Sequence, residues 1–153
     1  MLLSLFLLFV GDAFAQPDVV RKKELNIADS GLALDGYDPV SYFTQGKAVD
    51  GKSDIALTLH GVIYRFSSVQ NRELFKAHPE KYEPQYGGWC AYAMGAKGEK
   101  VEVDPETFKI VDGKLYLFYN KFFTNTLESW NKDEVHLQPN ADKNWLKVIQ
   151  QNN

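Results

Sequence analysis

The segment YGGWCAYAMG, residues 86–95, carries the chain's single cysteine, Cys90, four residues before Met94. On a helical turn that spacing puts two sulfur donors on one side, and soft sulfur suits copper(I) better than zinc. His60 and His78 are the imidazoles that would complete such a centre if folding brought them close. The same cysteine allows a second chemistry, in which a thiolate on a glycine-rich turn acts as nucleophile or oxidation sensor with an activating histidine beside it. A third reading uses the surroundings. Tyr37, Tyr86, Trp89 and Tyr92 have apolar faces with polar tips, and Gly87-Gly88 lets the backbone approach a neighbouring strand or a ligand, so these six residues are candidates for a small-molecule pocket. Against all three stands the commonest fate of a free cysteine, burial as a small hydrophobe, with the rings around it closing a core. These alternatives are left open by the residues themselves.

Other catalytic patterns are absent from the sequence. It contains no Walker loop, no Gly-x-Gly-x-x-Gly and no His-Glu-x-x-His, and no Ser/His/Asp set stands out. Asp35, Asp38, Asp104 and Glu106 could work as acids or bases, but Asp38 and Asp104 precede prolines, a pairing that starts turns. With 17 basic and 20 acidic residues, net −3, there is no cationic excess to neutralise phosphates, so nucleic acid is not expected as a partner. The expected partners are a metal ion or a small molecule, with a protein of the cell envelope as the further alternative, and the chain is expected to be a monomer. A binding module is favoured over an enzyme.

Several elements must position these residues. Residues 1–15, MLLSLFLLFVGDAFA, read as a signal peptide: a short apolar run too brief to span a bilayer, then Ala13 and Ala15 at the small-residue cleavage positions. The protein is therefore expected to be exported, to the periplasm or beyond. Residues 16–30 are polar and read as a flexible linker, and residues 31–150 as one domain. One cysteine cannot close an internal disulfide, so the 44% hydrophobic and 14% aromatic content must supply a packed core.

Within that domain, residues 31–46 suit an ordered loop with a helical turn. Residues 55–59 and 62–66, joined by His60-Gly61, read as a hairpin, and so do residues 107–111 and 114–119, joined by Asp112-Gly113. Ser67-Ser68-Val69-Gln70 starts a helix expected to run to Ala77, with Val69, Leu74 and Phe75 as its apolar face and Pro79 beyond its end. Two more helices are expected at about residues 121–131 and 141–150, leaving His136 in a polar loop. The whole predicts an α+β fold, a small antiparallel sheet built from hairpins and covered by helices.

The order of segments resembles a known family. Asp38-Pro39-Val40, then HGVIYRFSSVQNRELFKAHPEKY, then YGGWCAYA, VDGKLYLFYN and Ala141-Asp142-Lys143-Asn144-Trp145 are similar to the YHS domain family, in its exported single-domain branch. The resemblance covers nearly all of residues 31–150. Short metal-associated members are thought to bind soft metals through cysteines, and this chain has Ser41, Ser67 and Asn71 at those positions. Serine hydroxyls are poor ligands for zinc or copper, so the resemblance implies the fold and a pocket near Cys90, without the family's usual metal site.

Overall fold

The computed structural model describes residues 22–151. The expected leader, residues 1–15, and the first part of the expected linker lie outside the described residues.

Two turns set the frame. His60 and Gly61 both take positive φ, 49° and 78°, and Asp112 and Gly113 do the same at 51° and 72°. A type I′ turn needs that geometry at both central residues, and its twist matches the strands it joins. Strand β1 (Lys52–Leu59) therefore pairs antiparallel with β2 (Val62–Phe66), Leu59 opposite Val62. Likewise β3 (Asp104–Val111) pairs with β4 (Lys114–Phe118), Val111 opposite Lys114. Along β2 the buried residues are Val62, Tyr64 and Phe66, the period-two pattern of a strand with one face on the core.

Strand β4 differs, because Leu115, Tyr116, Leu117 and Phe118 are all buried. Its two faces serve two clusters. Leu115 and Leu117 pack with Val62, Phe66, Phe75 and Tyr82, whereas Tyr116 and Phe118 pack with Met94, Trp130 and Ala141. The expected α+β class holds, with the hairpins forming separate two-stranded sheets instead of one continuous sheet.

Helix α1 (Ser41–Thr44) and a 3₁₀ turn at Leu34–Gly36 order the loop of residues 31–46. Helix α2 (Val69–Ala77) starts as the sequence indicates, with the Ser68 hydroxyl accepting from the Asn71 amide at 3.1 Å. Its expected apolar face is corrected: Phe75 is buried, but Val69 and Leu74 are exposed, and the second buried residue is the polar Asn71. Pro79 ends α2 and opens α3 (Pro79–Tyr82), where its missing N–H costs nothing.

Three further expectations change. The helix expected at about residues 121–131 begins later, as α5 (Thr126–Lys132), because the Asn125 side chain caps it by accepting from the Leu127 amide. Before it lies a third hairpin, β5 (Asn120–Lys121) and β6 (Thr124–Asn125), turned by Phe122 and Phe123 at φ 51° and 63°. Bulky aromatics seldom occupy that region, so this turn has no sequence signature. The last helix, α6 (Glu134–Gln150), starts before residue 141 and takes in both His136 and the interior Pro139. Finally, residues 24–28, read as linker, are packed into the domain: Asn26 N donates to Gly87 O at 2.8 Å, Ala28 N donates to Leu32 O at 2.9 Å, and Glu24 is buried.

Helix α4 (Ala91–Lys97) crosses α6 closely at Gly95, where an added Cβ would stand 2.6 Å from the Leu137 carbonyl oxygen. Alanine improves helix propensity by about 1 kcal/mol over glycine, but the obstacle is backbone and cannot swing away. Gly95→Ala is therefore expected to destabilise the fold by about 1–3 kcal/mol through forced separation of the helices. Urea denaturation checks this, and a midpoint at or above the parent's would refute the close-approach argument.

Candidate functional site

Cys90 stands at the N-cap of α4 with no exposed surface. Its Sγ lies 3.3 Å from Thr126 Oγ1 and accepts from the Tyr119 amide at 3.4 Å. The residue's own amide donates to Val101 O at 2.9 Å, so backbone and side chain are both held. Met94 is equally enclosed, but it belongs to the cluster with Trp130 and Phe118, whereas Cys90 belongs to the cluster with Leu115 and Phe75. The reason is local. Cys90 has non-helical backbone angles, φ −56° and ψ 116°, so the four-residue spacing does not start inside the helix.

His60 is exposed on the β1–β2 turn, and His78 is exposed between α2 and α3, where it pairs with Glu80 at 3.6 Å. The structure does not bring Cys90, Met94, His60 and His78 into one centre. Among the described residues no group of three or more His, Cys, Asp or Glu side chains is arranged to hold a metal ion.

The three positions at which the resemblance implies cysteines do converge, around a different centre. Asp38 is fully buried. Its Oδ1 accepts from the Val40 amide at 2.9 Å; its Oδ2 accepts from the Ser67 amide at 2.8 Å, the Ser67 hydroxyl at 2.6 Å and Asn71 Nδ2 at 2.7 Å. Ser41 completes the group, its hydroxyl donating to the Asp38 carbonyl at 2.7 Å. The four donors from Val40, Ser67 and Asn71 all point at the carboxylate oxygens, which is the arrangement a buried carboxylate requires. Ser67 and Asn71 thus hold the carboxylate while Ser41 holds the main chain of the same residue, and the group is a structural clamp.

A cleft of about 520 Å³ opens elsewhere, where residues 24–28, the 3₁₀ turn Gln85–Gly88 and the end of α6 meet. Tyr86, Gly87 and Gly88, three of the six expected pocket residues, line it. Tyr86 and Gly87 take φ of 55° and 62° and turn the chain so that Trp145 and Leu25 come against Gly87; a Cβ there would sit 2.9 Å from the Trp145 ring. The backbone approach expected of this glycine pair is made by the chain's own Trp145 and Leu25, beside the cleft.

The other three candidates lie outside the lining. Trp89 stands behind it, its Nε1 donating to the Glu24 carbonyl at 2.7 Å; Tyr92 packs between the two clusters, and Tyr37 packs at the edge of the first.

Tyr86 is anchored by donating its hydroxyl to Asp142 Oδ1 at 2.8 Å, and Asp142 Oδ2 accepts from Gln138 at 2.7 Å. Burial, and then that hydrogen bond, hold the Tyr86 phenol well above its ordinary pKa, so it remains a donor across neutral pH. Across the cleft, Tyr64 donates to Glu83 Oε1 at 2.7 Å. Leu117, Trp145 and Ile149 contribute apolar wall. The walls from residues 24–28 and α6 are not expected from the sequence: residues 24–28 carry no motif, and the Ala141–Trp145 segment of α6 gives no sign that it faces the Gly87-Gly88 turn.

Two measurements test this geometry. Asp38→Asn places an amide N–H against a donor in either orientation of the side chain, and it is expected to cost about 2–4 kcal/mol in denaturant unfolding. Unchanged stability would mean that the clamp contributes nothing. Native Cys90 is expected to alkylate far more slowly than the denatured chain, by at least about a hundredfold, because reagent reaches it only through local opening. Equal rates in the two states would contradict the enclosure.

No family model, curated protein or solved structure matches the chain.

Proposed function

We propose that the chain is an exported, YHS-like binding module that holds a small organic molecule in the cleft between residues 24–28, the Gly87-Gly88 turn and α6. The observation that carries this reading is the cleft itself. Its volume of about 520 Å³ falls in the usual range for small-ligand sites, roughly 300–1,000 Å³. Its walls combine apolar surface from Leu117, Trp145 and Ile149 with oriented polar groups such as the Tyr86–Asp142 pair. The glycine-aromatic pattern of YGGWCAYA, which also carries part of the resemblance, directs attention to the same turn. The enclosed Cys90 supports neither a copper centre nor thiol chemistry, so the ligand site moves from the sulfur to the cleft.

The test is a nuclear magnetic resonance screen of the purified chain with a mixed library of small neutral, cationic and anionic aromatic compounds. Binders are expected to shift the Gly87 and Gly88 amides and the Trp145 indole. Ala28→Trp, an exposed position on the cleft rim, is expected to weaken binding at least about tenfold by filling the opening, with little change in stability. Shifts centred on Cys90, or binding that ignores Ala28→Trp, would overturn the assignment.

A further inference from the structure

The cleft has a one-sided charge. Among the described residues its lining includes the carboxylates of Glu24, Asp35, Glu80, Glu83, Glu102 and Asp142, and no lysine, arginine or histidine. In a chain of net charge −3 with 17 basic residues, such segregation gives the opening a negative field that favours a cationic guest. Acidic side chains gathered at a surface do not by themselves make a site. A second observation comes from Glu24.

Glu24 is 2% exposed, and its Oε2 is held by Lys100 Nζ at 2.7 Å. Its Oε1 is buried and has no hydrogen-bond partner among the described residues. A buried carboxylate oxygen left unpaired costs free energy, of the order of 1–3 kcal/mol or more for a charged group. Glu24 belongs to the cleft wall and Lys100 does not, so the ion pair engages one carboxylate oxygen from outside the lining and leaves the other without a partner among the described residues. The position is firm. The Glu24 carbonyl accepts from Trp89 Nε1, and Lys100 also lies 5.8 Å from the Trp89 ring centre.

Resting on the cleft as the binding site, the geometry points to a ligand class: a small organic cation with N–H donors on an apolar body, such as a protonated primary amine, whose nitrogen donates to Glu24 Oε1. The apolar body lies against Leu117, Ile149 and Trp145, and the face of Trp145 offers a second attraction for positive charge. Asp142, fixed by the Tyr86 hydroxyl, supplies field without needing to move. A bare metal ion is a poorer fit, because one free oxygen on one side chain falls short of the oxygen ligands a hard cation takes.

The test compares phenethylamine with phenethyl alcohol near neutral pH, where the amine is protonated and the two differ chiefly in charge. The parent chain is expected to bind the amine at least about tenfold more tightly, the ratio for one charge-assisted hydrogen bond. Glu24→Gln is expected to abolish that preference while leaving the alcohol's affinity in place. Lys100→Met, which removes the ion pair but keeps the carboxylate, is expected to retain or strengthen it. Equal binding of amine and alcohol by the parent chain would overturn the cationic class and leave the cleft standing as a neutral-ligand site. Loss of the preference in Lys100→Met as in Glu24→Gln would show that the ion pair acts structurally and would overturn the role given to Oε1. Binding of neither compound would remove the cleft reading and this inference together.

Discussion

Asp38 is the constraint on which the first half of the domain depends. Taking a carboxylate out of water costs several kcal/mol, and that cost is offset here by amide and hydroxyl donors drawn from three separate places in the chain. The donors are the loop at Val40, the exit of β2 at Ser67 and the first turn of α2 at Asn71. Because each must point at the same two oxygens, the loop before α1, the first hairpin and α2 are fixed relative to one another. The aromatic packing of Phe75 against Tyr64 and Phe66, with ring centres at 4.5 and 5.3 Å, then follows from where α2 is obliged to start.

A second organising feature is the use of single elements to serve two cores. Strand β4 buries both faces, and α4 sends Cys90 and Ala93 one way and Ala91 and Met94 the other. Such elements cannot carry a polar face, which is why the segment around Cys90 is so poor in charge. They also cannot present a sulfur to solvent without opening one cluster. The cleft forms where this double packing ends, at a place where residues 24–28, the Gln85–Gly88 turn and α6 meet without filling the space between them. Gly87 is required there because Trp145 and Leu25 leave no room for a side chain.

The candidate site was partly legible. Tyr86, Gly87 and Gly88 line the cleft, and their glycine-aromatic turn is the part of its wall that stands out in the sequence. Cys90 and Met94 misled because a four-residue spacing implies a shared face only when both residues have helical backbone angles, and Cys90 is a cap. The acidic wall was invisible. Its carboxylates come from segments far apart in sequence, and one of them, Glu24, sits in a stretch whose polar composition resembles a mobile linker.

What the sequence determined by itself is local. The Asp112-Gly113 and His60-Gly61 turns, the Ser68 cap and the alternation along β2 follow from backbone preferences and short-range hydrogen bonds that neighbouring residues settle between them. What only the tertiary structure decided is which side chains face one another across long separations. The meeting of Ser41, Ser67 and Asn71 on Asp38, the sealing of the lone sulfur and the gathering of six carboxylates around one opening all depend on packing between distant segments, and no local preference encodes them.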